Sequence, residues 1–391
     1  MVSALTSPPA TAKEGQSIVF NRPGLIGNEL LYMQDAIARG HIAGDGYYTK
    51  KCRDLLEEVL GACGVLLTTS GTHALEMSAL LLDIQPGDEI IVPSFAFVST
   101  VNAFVLHGAR PMFVEIRPDT LNLDETHLES LVTRRTKAIV ALHYGGVGCE
   151  MDTVLQVAHQ HGLAVVEDNA HSLFARHKGK YLGTLGDMGI LSFHETKNFT
   201  CGEGGALILN NPKYLELAEI IREKGTNRRK FFMGQVDKYT WLHVGSSYLL
   251  SDLLAAFLYA QLEHRDLIQS KRRKIWEYYQ YHLKDWAVRR NVRLPMVPSD
   301  CDPVDHVFQL VMPSSEQRDA LLLHLKSRQI MGVFHYLPLH LSPMGRTIGY
   351  RDGDFPVTEH VSRCLLRLPF YYHISESELQ RVVSTLQEWR P

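Results

Sequence analysis

The 391-residue sequence has few cysteines and no pattern among them: six, at 52, 63, 149, 201, 301 and 364, with no C-x-x-C pair. That spacing argues against a disulfide framework or a structural zinc site and fits free thiols in a reducing cytoplasm. A basic excess is also missing. The net charge is −3, which speaks against a nucleic-acid binder. No apolar run reaches the roughly 18 residues that span a bilayer, so no membrane segment is expected. The first 17 residues are rich in Ala, Ser, Thr and Pro, with neither an apolar signal core nor the Arg of a transit peptide. They read as a loose, disordered tail.

Two familiar nucleotide signatures are absent as well. No glycine-rich turn ends in Gly-Lys-Ser/Thr, which excludes a Walker loop, and Gly145-Gly146-Val147-Gly148 lacks the third glycine of a dinucleotide loop. His335 and His340 have the wrong spacing for one helix face and no carboxylate beside them, so no metal site is expected.

What is present is an ordinary globular composition, 45% hydrophobic and 21% charged, in a chain long enough for a large domain and a smaller one. Strand-like apolar segments at Gly64–Thr68, Glu89–Val92, Pro111–Glu115, Ala138–His143, Ala164–Glu167 and Gly189–Ser192 alternate with amphipathic ones. The latter are Leu55–Leu60, Thr72–Leu82, Ser99–Leu106 and Met151–His161. This rhythm predicts an α/β fold with a mostly parallel sheet flanked by helices. Near residue 250 it gives way to helical patterns at Ser251–Leu262 and Ser270–His282. A mixed βα stretch follows at Val307–Met312, Gln317–Arg328 and Gly332–Tyr336. The expected division is a tail over 1–17, a large domain over 18–255 and a small α+β domain over 256–391.

In parallel sheets ligands collect at the carboxyl ends of the strands, and four segments stand there. Thr68-Thr69-Ser70-Gly71-Thr72 opens a helix with small hydroxyl residues, which suits a phosphate or simply caps the helix. Val165-Val166-Glu167-Asp168-Asn169-Ala170-His171 ends a strand in two carboxylates. Such an Asp can bind a metal, orient a His, pair with a cationic ring nitrogen or merely cap a turn. Lys197 follows a buried strand, between Ser192 and the glycine-rich Cys201-Gly202-Glu203-Gly204-Gly205, where partial burial makes an amine nucleophilic. Pro93-Ser94-Phe95-Ala96-Phe97 offers an aromatic that either covers a planar ligand or packs in the core. Together they supply what pyridoxal phosphate requires: a phosphate cradle, a stacking ring, an acid for the pyridine nitrogen and a lysine for the aldehyde.

These motifs, in this order, resemble the DegT/DnrJ/StrS-type sugar aminotransferases, a fold-type I (aspartate aminotransferase-like) pyridoxal phosphate family, from about Phe20 to the C-terminus. The segments Leu82–Glu89, Ser192–Asn198, Ile220–Arg228 and Gly234–Trp241 are most similar to the WecE-type branch, which makes dTDP-4-amino-4,6-dideoxygalactose. The resemblance implies that Lys197 forms the Schiff base and Asp168 pairs with the pyridine nitrogen. It places Gly71, Thr72 and Ser192 at the phosphate, Phe97 on the ring and His171 near the 3′-oxygen. It also implies a nucleotide sugar as substrate, L-glutamate as amino donor and a homodimer with sites at the interface. The sugar is expected to meet Gly225–Trp241, Gly44-Asp45-Gly46 and Phe334–His340, with Arg228, Lys238, Tyr336 and His340 as contacts. Two departures stand out. Leu249 occupies a position where the family often has a phosphate-binding Asn, so Ser246 or Ser247 is expected to take over. Asn169 and His171 stand where the branch has Ala and Gln. Rival readings are a 3-keto sugar aminotransferase, another pyridoxal phosphate reaction on a nucleotide sugar, and a catalytically silent nucleotide-sugar binder or regulator.

Overall fold

The computed structural model describes residues 17–390, so the expected tail lies outside the described residues except for Ser17. Seven strands form the main sheet: β1 (Gly64–Thr68), β2 (Glu89–Pro93), β3 (Arg110–Val114), β4 (Thr136–Leu142), β5 (Ala164–Asp168), β6 (Met188–Ser192) and β7 (Gly205–Leu209). They lie in the order β1-β7-β6-β5-β4-β2-β3. Among these seven, β7 alone runs antiparallel to its neighbours β1 and β6.

The strands are apolar throughout because both faces are covered. In β4, Ala138 and Val140 pack into one cluster with Leu75, Phe104 and Val166, while Ile139 and Ala141 pack on the opposite side with Val154 and Val165. Alternate side chains on a strand point to opposite faces, so a doubly covered strand reads as an unbroken hydrophobic run. The helices α1 (Glu29–Ala38), α2 (Tyr47–Leu60), α3 (Gly71–Leu81), α4 (Ser99–Val105) and α5 (Met151–His161) supply much of that cover. Helix α6 (Leu215–Arg222) adds Ala218 and Ile221 to the face that holds α3 and α4.

After the short helix α7 (Arg228–Phe232), helix α8 (Asp252–Glu263) packs Ala255, Leu258 and Leu262 into the core beside β1 and β7. The long helix α9 (Arg265–Arg290) begins there with Ile268, but Ile275, Tyr279, Leu283 and Trp286 belong to a second core. The passage from one core to the next therefore runs along α9, beyond the expected boundary at 255. The second core is roofed by β8 (Gln309–Val311) and β9 (Leu365–Arg367), an antiparallel pair, with α10 (Ser315–Ser327) and α11 (Glu376–Glu388). Ile18 joins it by bridging to Ile330. No helix among the described residues is long and apolar enough to cross a membrane. All six cysteines are unpaired thiols.

Candidate active site

The start of α3 is a constructed cradle. Ser70 caps the helix, its Oγ accepting from the His73 N–H at 3.1 Å. A Cβ on Gly71 would stand 3.1 Å from both the Leu191 carbonyl oxygen and the Ser192 Cβ, so Gly71 and Ser192 approach more closely than a side chain there would comfortably allow. Thr72 Oγ1 lies 2.8 Å from Ser99 Oγ on α4. Three strand ends thus bring hydroxyls and helix N–H groups to one place, the donor set an anion needs. The glycine-rich run after Lys197 serves this cradle from behind. A Cβ on Gly205 would sit 2.3 Å from the Ser70 carbonyl carbon, so Gly205 lets β7 pass under the α3 turn rather than meeting a ligand itself.

Strand parity sorts the two carboxylates at the end of β5. Glu167 points to the side of Val165 and is consumed there, accepting from the N–H groups of Gly183 (2.8 Å), Leu185 and Gly186 (both 2.7 Å) and facing His143 at 2.9 Å. Asp168 points to the side of Val166, toward α4. Thr100 Oγ1 donates to its Oδ2 at 2.6 Å and the Ala170 N–H to its Oδ1 at 3.2 Å. Asp168 is 3% exposed, so its carboxylate is fixed by these two donors and turned to the site. Lys197 stands in the loop after β6. Burial pulls its pKa down to about 8; the negative charge of Asp168 opposes the shift, and the Arg367 guanidinium adds to it.

A wall of rings faces the lysine. His171 Nδ1 accepts from the Gly145 N–H at 3.3 Å, which leaves the proton on Nε2, 3.2 Å from Tyr336 Oη. Its ring stacks on His306 with centroids 4.3 Å apart, and His306 Nδ1 is 2.8 Å from Asn198 Oδ1, beside Lys197. His335 Nδ1 lies 3.0 Å from Tyr144 Oη. Burial, then the neighbouring cations, push His171, His306 and His335 well below the ordinary imidazole value, so all three are neutral near pH 7. Of the two phenylalanines after β2, Phe95 is fully buried against Tyr144. Phe97 is 59% exposed, with Tyr336 at 6.5 Å, and is the ring available to a ligand.

The residues expected at the sugar fall into three groups. Tyr336 joins the ring wall. Arg228 pairs with Glu223 Oε1 at 3.0 Å, stacks over Phe232 and lines a cleft of about 750 Å³ with Gly44, Asp45, Gly46, Ser247 and Leu249. Lys238 is exposed on the loop that follows α7. His340 requires correction: it is fully buried, with Ser94 at 2.6 Å from Nδ1 and Glu359 at 3.3 Å from Nε2. It ties the 334–340 segment to β2 and has no surface left for a substrate. His335, within the segment expected at the sugar, joins the ring wall, whereas Thr100, Tyr144, His306 and Arg367 escaped the sequence reading. Each is brought to the site by a long-range contact, and Thr100 alone had a local cue, lying on the helix that follows Phe97.

The residues present fit pyridoxal phosphate. The Gly71–Ser192 closure leaves a cradle of N–H and hydroxyl donors, Asp168 is a fixed buried carboxylate, and Lys197 is an enclosed amine of lowered basicity.

The family model for the DegT/DnrJ/EryC1/StrS aminotransferase family matches residues 25–387. The chain is similar to the dTDP-3-amino-3,4,6-trideoxy-alpha-D-glucose transaminase of Streptomyces venezuelae, 33% identical over 82% of this chain and 81% of that protein. Among solved structures it is similar to the aminotransferase TlmJ from Streptoalloteichus hindustanus, with a TM-score of 0.87 at 30% identity, covering 95% of this chain and 98% of that one. It is also similar to S. venezuelae DesV, solved with a ketimine intermediate, with a TM-score of 0.85 at 30% identity over 93% of this chain and 94% of that one.

Proposed function

We propose that this chain, which belongs to the DegT/DnrJ/EryC1/StrS aminotransferase family and is a pyridoxal-phosphate-dependent sugar aminotransferase, aminates a nucleotide-linked keto sugar with L-glutamate as donor. The substrate we assign is dTDP-4-keto-6-deoxy-D-glucose, giving dTDP-4-amino-4,6-dideoxy-D-galactose. The carrying observation is the juxtaposition of Lys197 and the Thr100-held Asp168 beside the Gly71–Ser192 cradle. A silent binder has no use for a lysine of lowered basicity next to a fixed carboxylate. The choice of sugar rests on the segments 82–89, 192–198, 220–228 and 234–241. A 3-keto substrate is the second reading, favoured by the similarity to a transaminase that makes a 3-amino sugar.

The residues divide the work. Gly71, Thr72 and Ser192 hold the phosphate of the cofactor, and Phe97 covers one face of its ring. Asp168, fixed by Thr100 and the Ala170 N–H, keeps the ring nitrogen protonated. Bound there, pyridoxal phosphate supplies the electron sink that lets a C–H bond next to nitrogen break. Lys197, with a pKa of about 8, carries a useful fraction of neutral amine near pH 7.5. It would take the donor's α-proton and later deliver a proton to the sugar's former carbonyl carbon, the one that carries the new amine. His171 Nε2–H donates to Tyr336 Oη at the edge of the site, which leaves the tyrosine O–H free to donate there.

We assign the 750 Å³ cleft between Gly44–Gly46, Arg228 and Leu249 to the nucleotide and to the approach of a second copy of the chain, in a homodimer with sites at the interface. Around it Phe232, Met233, Trp241 and Leu242 are exposed, an apolar rim that a subunit contact would cover. The six unpaired thiols suit work in a reducing cytoplasm.

The test is incubation with L-glutamate and a panel of 3-keto and 4-keto dTDP-sugars, with products identified by mass and NMR. A 4-amino product with the galacto configuration is expected. A 3-amino product would replace the first reading by the second, and absence of any amino sugar would sink both.

A further inference from the structure

The short antiparallel strands Arg176–His177 and Cys301–Asp302 set His177 directly opposite Cys301. Residues paired across antiparallel strands carry their side chains on one face, so the backbone fixes an imidazole beside a thiol. Asp300 joins them from the turn before the second strand, where the Cys301 N–H donates to the Pro298 carbonyl oxygen at 3.1 Å. One His177 nitrogen, the Cys301 Sγ and one Asp300 carboxylate oxygen lie within 4.8 Å of one another. His177 is 2% exposed, yet neither ring nitrogen finds an oxygen or nitrogen partner: Nδ1 faces Sγ at 3.7 Å and Nε2 has none. In one tautomer the ring's lone pair meets only a thiol, and in the other it meets nothing. A buried polar group left in that state is costly and calls for a better partner. Asp300 is loosely engaged too. Its nearest cation, Lys178 Nζ, is 4.0 Å away and pairs more closely with Asp152 at 2.5 Å.

We propose that His177, Asp300 and Cys301 form a binding site for a thiophilic divalent cation, zinc above all. The donor set selects the ion. A thiolate with an imidazole suits zinc, whereas magnesium and calcium take oxygen ligands and would leave two of the three donors unused. Zinc bonds of about 2.0–2.3 Å place tetrahedral ligands about 3.3–3.8 Å apart, so the three side chains need close by only about 1–1.5 Å. Binding exchanges one ion for another at sulfur: the S–H bond of Cys301 breaks, its proton leaves to solvent and a zinc–sulfur bond forms. The fourth position is open to water. The site lies outside the groups assigned to catalysis, so the proposal stands whether or not the chain aminates a sugar. It bears on the active site through the chain. Just beyond Cys301, the Val304 carbonyl oxygen accepts from Asn198 Nδ2 at 2.9 Å, and His306 Nδ1 lies 2.8 Å from Asn198 Oδ1. An ion held by Asp300 and Cys301 anchors the segment that grips the residue next to Lys197. Its role is that of a staple, away from the reacting atoms.

The experiment uses the cofactor-loaded full chain, stripped of metal with a chelator, and its Cys301→Ser and His177→Gln variants. Cys63→Ser, which alters an exposed thiol, is the control. Zinc chloride is titrated calorimetrically, and zinc-edge X-ray absorption is recorded at one equivalent. The wild type and Cys63→Ser should bind one zinc, with one sulfur at about 2.3 Å and lighter ligands at about 2.0–2.2 Å. Cys301→Ser and His177→Gln should weaken binding by at least about 100-fold, more than the loss of a supporting partner costs. Cys301→Ser should also remove the sulfur from the spectrum. Zinc should raise the Tm of the wild type in a concentration-dependent way and leave that of Cys301→Ser unmoved. No zinc taken up by the wild type, or a spectrum without sulfur, would overturn the assignment. So would undiminished affinity in Cys301→Ser, which places the zinc on other side chains. The cofactor's visible band and near-UV circular dichroism report whether each variant has folded. Should His177→Gln fail to fold, Cys301→Ser and the wild-type spectrum decide alone.

Discussion

The cradle at the carboxyl ends of the strands and the rim formed by residues 225–247 are built on opposite principles. In the cradle Asp168 is tied down by Thr100 and Ala170, Thr72 by Ser99, and His171 by Gly145 and Tyr336. Gly205 stands where a single Cβ would collide with backbone, and Gly71 where one would be tight. In the rim Arg228 and Lys238 are exposed, and Trp241 keeps 78% of its surface in solvent. The ties of the cradle give its groups a fixed geometry. The rim is an exposed surface, which we assign to recognition of the substrate. Substitutions in the first region should therefore stop the reaction, and those in the second should retune it.

The strongest way to break this contrast is Lys197→Ala. It removes both the attachment point and the proton carrier, and kcat should fall by on the order of 10⁴-fold or more in steady-state assays. Asp168→Asn keeps the shape but loses the charge. Turnover should drop about 10²- to 10³-fold, while equilibrium dialysis still finds cofactor bound. A smaller effect is expected from pH. Below about 8 the neutral fraction of Lys197 falls tenfold per unit, so the rate at which apoprotein captures cofactor should fall with it. The same shift bears on stability with a definite sign. Between about 8 and the ordinary 10.5, the unfolded chain holds the Lys197 proton and the folded chain does not, so stability rises with pH across that window. Thermal melts of apoprotein should show this component, and Lys197→Met should lack it.

Gly205→Ala sharpens the comparison without touching a ligand. The added methyl must displace the Ser70–Gly71 backbone, which should cost about 1–3 kcal/mol of stability in denaturant melts and loosen the cofactor. The smallest effect belongs to the rim. Lys238→Ala should leave kcat unchanged and raise the KM for the nucleotide sugar by about 5-fold or less, the worth of one exposed ion pair.

Much of this was legible in the sequence, and the reasons are local. Doubly buried strands announce themselves as short apolar runs, which is why β1 to β6 and the residues just beyond them were found. The antiparallel β7 was missed because it starts in the glycine run after Lys197, and glycine blurs a strand pattern. Helix α1 was missed because it is short and half-exposed, without a capping side chain. His340 was misjudged because exposure cannot be read from a histidine in a proline-flanked loop; its partners Ser94 and Glu359 are 246 and 19 residues away.

The central claim is that one lysine, made reactive by burial at a strand end, holds the cofactor. Borohydride reduction of the cofactor-loaded protein, followed by digestion and mass spectrometry, tests it directly. A phosphopyridoxyl group on the peptide containing Lys197, absent from Lys197→Ala, is the predicted result. A modified lysine elsewhere, or no modified peptide from protein that has bound the cofactor, would contradict it.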